Sequence, residues 1–193
     1  MDPSVIEQDE QWARWQRKHR QAAPDEPLEL DPFVEEVFHQ RKPASSNRAL
    51  DLACGRGRHA LALAKLGWSV EAWDFSSEGL ARLKQRAAEQ DLEIKCRLVD
   101  LRQADLSAFW AQFHFVVQVN YLNRDLLASA HKLLLPEGLF LFQGFNEDWP
   151  EERPGPRFRL RAGELESGLP GLRTLKILER DGRSFFLGQR SDA

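Results

Sequence analysis

The chain has 193 residues, of which 42% are hydrophobic and 30% charged, and its formal net charge is −3. This composition is typical of one well-packed globular core, and the slight negative charge argues against nucleic acid as the main partner, because counterion release needs a basic surface. The opening stretch MDPSVIEQDE lacks the basic and apolar regions of a secretory signal, and no apolar run is long enough to span a bilayer. Cys54 and Cys96 are too few for a disulfide framework and lack metal-ligand spacing. We therefore expect a cytoplasmic protein without a metal, which acts on a small molecule as a monomer or homodimer.

The N-terminal segment, residues 1–44, is predicted to form a helical lid or brace. Its clearest element is an amphipathic helix over Glu10 to Arg20, which carries Trp12 and Trp15. We expect this segment to lie across a sheet and to belong to one domain that covers residues 1–193.

Strands and helices then alternate along the chain, which predicts parallel βαβ units. Apolar runs predict strands over Arg48 to Ala53, Ser69 to Trp73, Glu93 to Val99, Phe113 to Val119 and Leu139 to Phe145. Helices are predicted over His59 to Leu66, from a Ser76 cap to about Gln90, and from an Asn123 cap to about Leu135, followed by a Pro-Glu-Gly turn at 136–138.

The last third of the chain is predicted to end in an antiparallel hairpin. Leu172 to Glu179 and Ser184 to Gln189 are strand-like, and Asp181-Gly182 between them is a typical hairpin turn. The predicted fold class is therefore α/β, a Rossmann-like doubly wound sheet that is mostly parallel and has a C-terminal antiparallel hairpin.

A glycine-containing loop follows the first predicted strand, in the segment ALDLACGRGRHALALA. Gly55 and Gly57 fall between a strand and a helix, where the backbone must turn sharply and approach a ligand, which the absence of a Cβ atom allows. With Ala60 in third place the pattern is also G-x-G-x-x-A, the fingerprint of dinucleotide-binding proteins. The glycines alone leave the identity of the nucleotide ligand open.

Acidic residues at three successive strand ends favour a cationic nucleoside ligand. Asp51 lies inside the end of the first strand, where a carboxylate repels pyrophosphate but attracts the ammonium and sulfonium of S-adenosylmethionine (SAM). Asp74 ends the second strand, where a carboxylate exposed in an empty cleft can accept from both ribose hydroxyls. Asp100 ends the third, where it can accept from the adenine amino group. Each also has a structural interpretation: Asp51 as a brace of the loop, Asp74 as a helix cap and Asp100 as a turn residue.

Several segments resemble the class I SAM-dependent methyltransferases, and within them the small bacterial group related to tellurite-resistance and thiopurine methyltransferases. These segments are DLACGRGRHALALA at 51–64, AWD at 72–74, VDL at 99–101, VNYLNRDLL at 119–127, LLPEGLFLF at 134–142 and FRLRAGEL at 158–165. The resemblance implies the class I methyltransferase fold, with SAM as cofactor and S-adenosylhomocysteine as product.

The resemblance also implies which residues contact the cofactor. The glycine loop holds the methionine end, Asp74 the ribose and Asp100 with Leu101 the adenine, while Val119 and Asn120 lie under the methyl group. The cofactor-binding positions are Asp51, Ala53, Cys54, Gly55, Gly57, Arg58, Asp74, Phe75, Asp100, Leu101, Val119 and Asn120. The chain departs from the group at His114, where an acidic residue is common, and at Glu137, in a turn that is usually Pro-Gly-Gly.

The predicted chemistry needs no covalent nucleophile, because methyl transfer from a sulfonium is an in-line displacement that mainly requires orientation and exclusion of water. No histidine has the position of a general base, which favours a soft acceptor such as a thiol or a chalcogen oxyanion. Tyr121, just past the fourth strand, is a candidate acceptor contact. Arg153 and Arg157 lie in an arginine-rich stretch that either clamps an anionic acceptor or forms a solvated loop face.

Two other functions stay open at this point. A SAM-binding module without catalysis would bind the cofactor and give no turnover. A nicotinamide-dependent oxidoreductase fits the G-x-G-x-x-A pattern, but Asp51, Asp100 and the terminal hairpin argue against it.

Overall fold

The computed structural model describes residues 10–21, 23, 28–41, 43–44, 47–152 and 154–191, with the side chains of Glu10, Gln11 and Trp12 outside that description. The chain groups into two compact units, Met1–Ala104 and Asp105–Ala193. Whether 1–193 is a single domain stays a prediction. Within the described residues, no helix is both long and apolar enough to cross a membrane.

The described residues of the first unit form three parallel strands and four helices. Strand β2 (Ser69–Asp74) lies between β1 (Arg48–Leu52) and β3 (Ile94–Leu98) and is parallel to both. The helices are α1 (Glu10–Gln21), α2 (Pro32–Gln40), α3 (Arg58–Lys65) and α4 (Ser77–Ala88). These strands and the helices α1, α3 and α4 confirm the predicted βαβ pattern, with ends that differ by one or two residues.

Helix α2 lies in the segment 1–44 that was predicted to be helical, but its bounds were not predicted, although its start carries a recognisable signal. Asp31 accepts a 2.9 Å hydrogen bond from the Phe33 amide, and Pro32 occupies the first helical position, where its missing N–H is not needed. The helix buries one apolar face, formed by Phe33, Val34, Val37 and Phe38.

The second unit is a mixed sheet. Strand β5 (Leu134–Asn146) is parallel to β4 (Phe113–Val119) and to the short β6 (Arg159–Leu160), and antiparallel to β8 (Arg183–Arg190). Strand β7 (Leu172–Arg180) pairs antiparallel with β8, and helix α5 (Arg124–Ser129) follows β4. The parallel strands with a C-terminal antiparallel pair confirm the predicted fold class.

The hairpin between β7 and β8 has the turn that its sequence predicts. Asp181 and Gly182 have φ angles of 51° and 71°. Positive φ at both central residues is the requirement of a type I′ turn, and Asp-Gly meets it at low cost.

The segment between β4 and β5 differs from its prediction. Helix α5 ends at Ser129 rather than near Leu135, because Ala130–Leu133 form a 3-10 turn in which Ala130 and Leu133 are buried. The predicted turn at 136–138 is instead part of β5, where Glu137 has a φ of 62° and the pairing with β4 shifts register between Phe113 and Phe115. The Pro-Glu-Gly sequence thus interrupts the regularity of the strand without ending it.

Aromatic side chains fill the interior of each unit. In the first unit Trp73 is fully buried on β2, and in the second unit the central strands bury Phe113, Phe115, Phe140, Phe142, Phe185 and Phe186. Residues 139–144 of β5 are buried without interruption, as predicted for a strand covered on both faces. Truncating one such ring to alanine costs about 3–5 kcal/mol of stability.

Candidate functional site

The glycine loop joins β1 to α3 through left-handed backbone conformations. Ala53, Gly55 and Gly57 have φ angles of 55°, 55° and 78°. A Cβ atom on Gly57 would lie 2.2 Å from Leu83 Cδ1 of α4, so a side chain is excluded there by both conformation and space. The loop is therefore a tight cradle of backbone at the carboxyl ends of β1 and β2.

Asp74 fastens this loop to the end of β2. Its Oδ2 accepts a 2.8 Å hydrogen bond from the Gly55 amide, and its Oδ1 accepts a 2.7 Å bond from the Ser76 amide. The residue is only 5% exposed, so the expectation of an exposed carboxylate is wrong, and burial raises its pKa. The cap of α4 is Ser76, whose Oγ accepts from the Gly79 amide at 3.1 Å, as the sequence predicts.

Asp51 is buried at 1% exposure within β1. Its Oδ2 accepts a 3.0 Å hydrogen bond from the Ala60 amide at the start of α3. Burial raises the pKa of Asp51 to about 8, and the nearby Asp74 carboxylate adds to the rise. The neighbouring Cys54 thiol is also buried, which raises its pKa well above the usual range and leaves it an unreactive side chain.

Asp100 follows β3 and forms a bidentate pair with Arg102. The Arg102 Nε donates to Asp100 Oδ1 at 2.8 Å and Nη2 donates to Oδ2 at 2.6 Å. The guanidinium carbon of Arg102 lies 5.7 Å from the centre of the Phe75 ring, within the range of a cation–π contact. Asp100 and Leu101 are buried at 3% and 8% exposure.

Arg58 and His59 begin helix α3 and contact the N-terminal segment. Arg58 Nη1 donates a 2.7 Å hydrogen bond to the Glu29 carbonyl, so this predicted cofactor residue also braces the chain before α2. The buried His59 ring packs edge-on against Phe38, and burial lowers its pKa to about 3. A neutral, buried His59 serves packing rather than proton transfer.

Helix α1 docks on the start of α4 through Gln16, which sequence reasoning missed. Gln16 Oε1 accepts from the Ser76 hydroxyl and from the Glu78 amide at 3.0 Å, while its Nε2 donates to Ser77 Oγ at 2.6 Å. At the surface, Arg20 Nη2 forms a 2.8 Å ion pair with Glu78. A single buried glutamine thus satisfies several polar groups at the N-terminus of α4.

His19, which the sequence analysis also did not identify, lies against the glycine loop. A Cβ atom on Gly55 would stand 3.2 Å from His19 Cε1, and the imidazole stacks on Trp15 with ring centres 5.6 Å apart. The His19 pKa is lowered to about 4, chiefly by burial and also by the nearby cations Lys18, Arg56 and Arg82, while Glu78 has a weaker opposing effect. Only the three-dimensional contact with Gly55 identifies this residue, because a lone histidine on a helix carries no sequence signal.

In the second unit, Val119 and Asn120 end β4 as predicted. Asn120 has a φ of 58°, and its amide donates to the Gln143 carbonyl at 2.8 Å. The side-chain oxygen of Asn120 accepts from Gln143 Nε2 at 3.2 Å. Asn120 is exposed, whereas Val119 is buried. The half-exposed Tyr121 follows, with its carbonyl held by Gln118 Nε2 at 2.9 Å.

The described arginines of the arginine-rich stretch make different contacts, and its role as an anion clamp stays a prediction. Arg159 donates to the carbonyls of Pro154 at 2.8 Å, of Trp149 at 2.9 Å and of Glu151, so its guanidinium organises its own loop. Arg157 is exposed and lies 4.5 Å from the centre of the Phe158 ring. Arg153 lies outside the described residues.

Arg183 provides a cation at the carboxyl end of β5 that the sequence did not indicate. It is the partner of Phe145 in the β5–β8 ladder, and its guanidinium carbon lies 5.4 Å from the Phe145 ring centre and 5.0 Å from that of Trp149. The two rings contact each other at 4.6 Å. Within the described part of the chain no carboxylate forms an ion pair with Arg183, so the two aromatic rings orient a charge that is not neutralised by a partner.

This architecture, with acidic residues and a glycine loop at the carboxyl ends of parallel strands and a terminal antiparallel pair, is that of the class I methyltransferases. The family model of the tellurite resistance protein TehB matches residues 25–133. Because this match covers more than half of the chain, the chain belongs to the TehB family.

Individual relatives agree with this assignment. The "Probable S-adenosyl-L-methionine-dependent methyltransferase TehB" of Haemophilus influenzae (strain 10810) is 31% identical over 97 residues, which are 50% of this chain and 34% of that relative. The crystal structure of TehB from Haemophilus influenzae superimposes with a TM-score of 0.67 at 22% identity, over 84% of this chain and 63% of that one. A structure from work on the conversion of a disulfide bond into a thioacetal group during echinomycin biosynthesis gives a TM-score of 0.73 at 17% identity, over 94% and 93% of the two chains. The chain thus aligns with about a third of the curated TehB relative, and the solved structures share its fold.

Proposed function

We propose that the protein is a SAM-dependent methyltransferase that transfers a methyl group to a small acceptor with a soft nucleophile, such as a thiol or a chalcogen oxyanion. The single observation that carries this proposal is the joint position of Asp51, Asp74 and Asp100. They end three consecutive parallel strands beside a loop of left-handed backbone. Buried carboxylates at this edge favour a ligand that brings positive charge and hydroxyl donors over one that brings pyrophosphate.

The chain's own residues fit such a ligand. We expect the methionine end to bind beside the left-handed backbone of Gly55 and Gly57, where the Asp51 carboxyl would face a cationic group in ionised form once such a group is bound. Asp74 accepts from the backbone amides of Gly55, Ser76 and Phe75, and a carboxylate has a further lone pair with which it can accept from a ribose hydroxyl. Bound SAM would supply an electrophilic methyl group on its sulfonium.

The N-terminal segment is the proposed lid over this loop. Helix α1 is held to the start of α4 and to the glycine loop by three hydrogen bonds of Gln16, the Arg20–Glu78 ion pair and the ring contact of His19. Local opening of a helix that is held through polar side-chain contacts costs less free energy than global unfolding, and it would admit the cofactor and then exclude water.

The proposed acceptor contact in the second unit is Arg183, with Tyr121 retained from the sequence. A guanidinium oriented by Phe145 and Trp149 attracts an anionic acceptor and forms charge-assisted hydrogen bonds with its oxygens. A thiolate or oxyanion already carries its attacking electron pair, so the residues only have to orient it.

Calorimetric titration with SAM and with NADH separates a methyltransferase from an oxidoreductase, and we expect binding of SAM only. Radiolabelled SAM is then incubated with thiols, selenite, tellurite and small carboxylic acids, and label transfer to an anionic soft acceptor is expected. Binding of SAM without transfer to any acceptor would favour the non-catalytic module, and no binding at millimolar SAM would contradict the proposal.

A further inference from the structure

The residues Asn120 and Gln143 join the ends of β4 and β5 through two hydrogen bonds. Val119, the last residue of β4, is the ladder partner of Gln143, and the Asn120 amide donates to the Gln143 carbonyl at 2.8 Å. The second bond runs between the side chains, from Gln143 Nε2 to Asn120 Oδ1 at 3.2 Å. Because Asn120 is held at both its main chain and its side chain, its amide group has a defined direction.

The position of Gln143 does not need a polar residue for packing. Gln143 is buried, and it follows residues 139–142 of β5, which are all apolar and buried. Its Oε1 is buried and has no hydrogen-bond partner among the described residues, which destabilises the fold. A methionine side chain of similar length would bury no unsatisfied oxygen. The use of glutamine here is therefore explained by the group that it holds, the side chain of Asn120.

The bond from Gln143 decides which end of the Asn120 amide is left for a ligand. Asn120 is exposed, and its Oδ1 is turned toward Gln143, so the two N–H donors of Nδ2 are the available end. If both amides were turned over, the NH₂ group of Gln143 would lie where its oxygen now lies, buried and without an acceptor. Two unsatisfied donors cost more than one unsatisfied oxygen, which favours the observed arrangement.

This amide pair lies on the same face of β5 as the proposed acceptor contact. Side chains alternate along a strand, so Gln143 and Phe145 point to one face. Arg183 is the β8 partner of Phe145, and its guanidinium lies over the Phe145 ring. Within the second unit, an N–H donor and an oriented cation are thus both near the carboxyl ends of β4 and β5. Both groups attract an anionic oxygen and disfavour an ammonium group.

We propose that Asn120 donates from Nδ2 to an oxygen of the methyl acceptor, and that Gln143 is a positioning residue that selects an anionic oxygen over an ammonium group. This assignment rests on the proposed function, because it concerns the acceptor of the same reaction. Gln143 acts through Asn120: an ammonium group binds only if the Asn120 amide turns over and loses its bond from Gln143 Nε2. The substrate class that follows is a thiol that carries a carboxylate, or a chalcogen oxyanion itself.

Two thiols with the same carbon chain test this selection, β-mercaptopropionate with a carboxylate and cysteamine with an ammonium group. Each is measured as a competitor of the acceptor found in the label-transfer screen, so the ratio of the two inhibition constants does not require that the thiol itself is methylated. The proteins are the wild type, Gln143→Met and Asn120→Asp. Gln118→Met is the matched control, because Gln118 is also a buried glutamine whose Oε1 has no partner in the described part of the chain. Its Nε2 bonds the Tyr121 carbonyl rather than Asn120.

The wild type and Gln118→Met should bind β-mercaptopropionate about tenfold or more tightly than cysteamine, the effect of one charge-assisted hydrogen bond. In Gln143→Met this ratio should fall about three- to tenfold, the effect of one neutral hydrogen bond, because the Asn120 amide can then turn freely. Asn120→Asp keeps an acceptor for Gln143 Nε2 and replaces the outward NH₂ group by a carboxylate oxygen, so the preference should reverse. Aspartate also tolerates the φ of 58° at this position, so this variant decides the case in which Gln143→Met does not fold.

An unchanged ratio in folded Gln143→Met, or an equal change in Gln118→Met, would show that Gln143 has only a structural role and would overturn the assignment. The same follows if Asn120→Asp keeps the wild-type preference, or if neither thiol competes in the wild type. These outcomes leave the proposed function intact. If the label-transfer screen finds no acceptor, the proposed function fails and this assignment fails with it.

Discussion

The Gly55 amide donates a 2.8 Å hydrogen bond to the carboxylate of Asp74, so the glycine loop and the end of β2 are held together before any ligand binds. The same carboxylate accepts from the Ser76 amide, which places it between two loops. Asp74 therefore has a structural task as well as its proposed contact with ribose.

Asp74→Ala should lower both stability and cofactor affinity. Removal of the carboxylate leaves the amides of Gly55 and Ser76 without their acceptor, and each buried unsatisfied group costs about 1–3 kcal/mol of unfolding free energy. Loss of the ribose contacts should weaken SAM at least about tenfold. Urea denaturation of the ligand-free protein and calorimetry with SAM measure the two effects.

Asp105→Ala is the matched control for that experiment, because Asp105 is exposed and accepts a similar bond from the Ser107 amide at 2.9 Å. We expect its SAM affinity to equal that of the wild type. Wild-type SAM affinity in Asp74→Ala would show that the ribose does not bind at the end of β2.

Asp51→Asn should remove a pH dependence of stability. The pKa of Asp51 is raised in the folded protein from its ordinary value of 3.8 to about 8, so the folded state holds a proton that the unfolded chain has already released. The stabilising contribution of Asp51 is therefore lost as the pH rises from about 4 to 8. Asparagine keeps an acceptor for the Ala60 amide but does not titrate.

Denaturation of both proteins at pH 5, 6, 7 and 8 measures this effect as the difference in unfolding free energy. The wild type should lose stability relative to the variant across the series. A constant difference would mean that Asp51 is ionised in the folded protein.

His19→Phe should remove a pH dependence of the opposite sign. The folded pKa of His19 is lowered to about 4 from 6.5, so the unfolded chain binds the proton first, and this contribution to stability is lost as the pH falls from about 6.5 toward 4. Phenylalanine keeps a ring for Trp15 and for the surface of Gly55 but has no titratable group. His59 contributes in the same direction and stays in both proteins.

Hydrogen exchange of α1 amides at pH 7.5 and 5.0 tests this prediction locally. In the wild type, exchange corrected for the intrinsic pH effect should speed up at pH 5.0, because protonated His19 leaves its buried position against the loop. Equal corrected protection of α1 at the two pH values in the wild type would show that His19 does not control docking.

Local chemistry accounts for what could be predicted from the sequence. The Ser76 cap, the Asp181-Gly182 turn and the positive φ angles at Gly55 and Gly57 depend on residues within a few positions of each other. The continuous apolar run of β5 likewise identifies a buried strand wherever it packs.

Contacts between residues far apart in the chain account for what could not be predicted. Gln16 and Ser76 are 60 positions apart, and His19 is identified only by its place over Gly55. The burial of Asp74 depends on the fold of two loops around it, so its position at a strand end was predictable and its low exposure was not. Arg183 starts a strand in a hairpin, and only its contact with Trp149 distinguishes it from other surface arginines.

Arg183→Met should impair use of an anionic acceptor and leave cofactor binding unchanged. The variant keeps an unbranched side chain against Phe145 and Trp149 but has no charge or hydrogen-bond donors for the acceptor. With an acceptor found in the label-transfer screen, kcat/KM should fall about ten- to a hundredfold, the loss expected for one or two charge-assisted hydrogen bonds. The control Arg173→Met removes an exposed arginine of the adjacent strand β7, which donates a hydrogen bond to Gln189 Oε1, and should retain wild-type kinetics. Since the proposed cofactor contact differs from the acceptor contact, the SAM dissociation constant should stay within about twofold of wild type in both variants.

Unchanged kcat/KM in Arg183→Met would remove Arg183 from the acceptor site. A matching loss of kcat/KM in Arg173→Met would show that general surface charge, rather than the oriented guanidinium, attracts the acceptor.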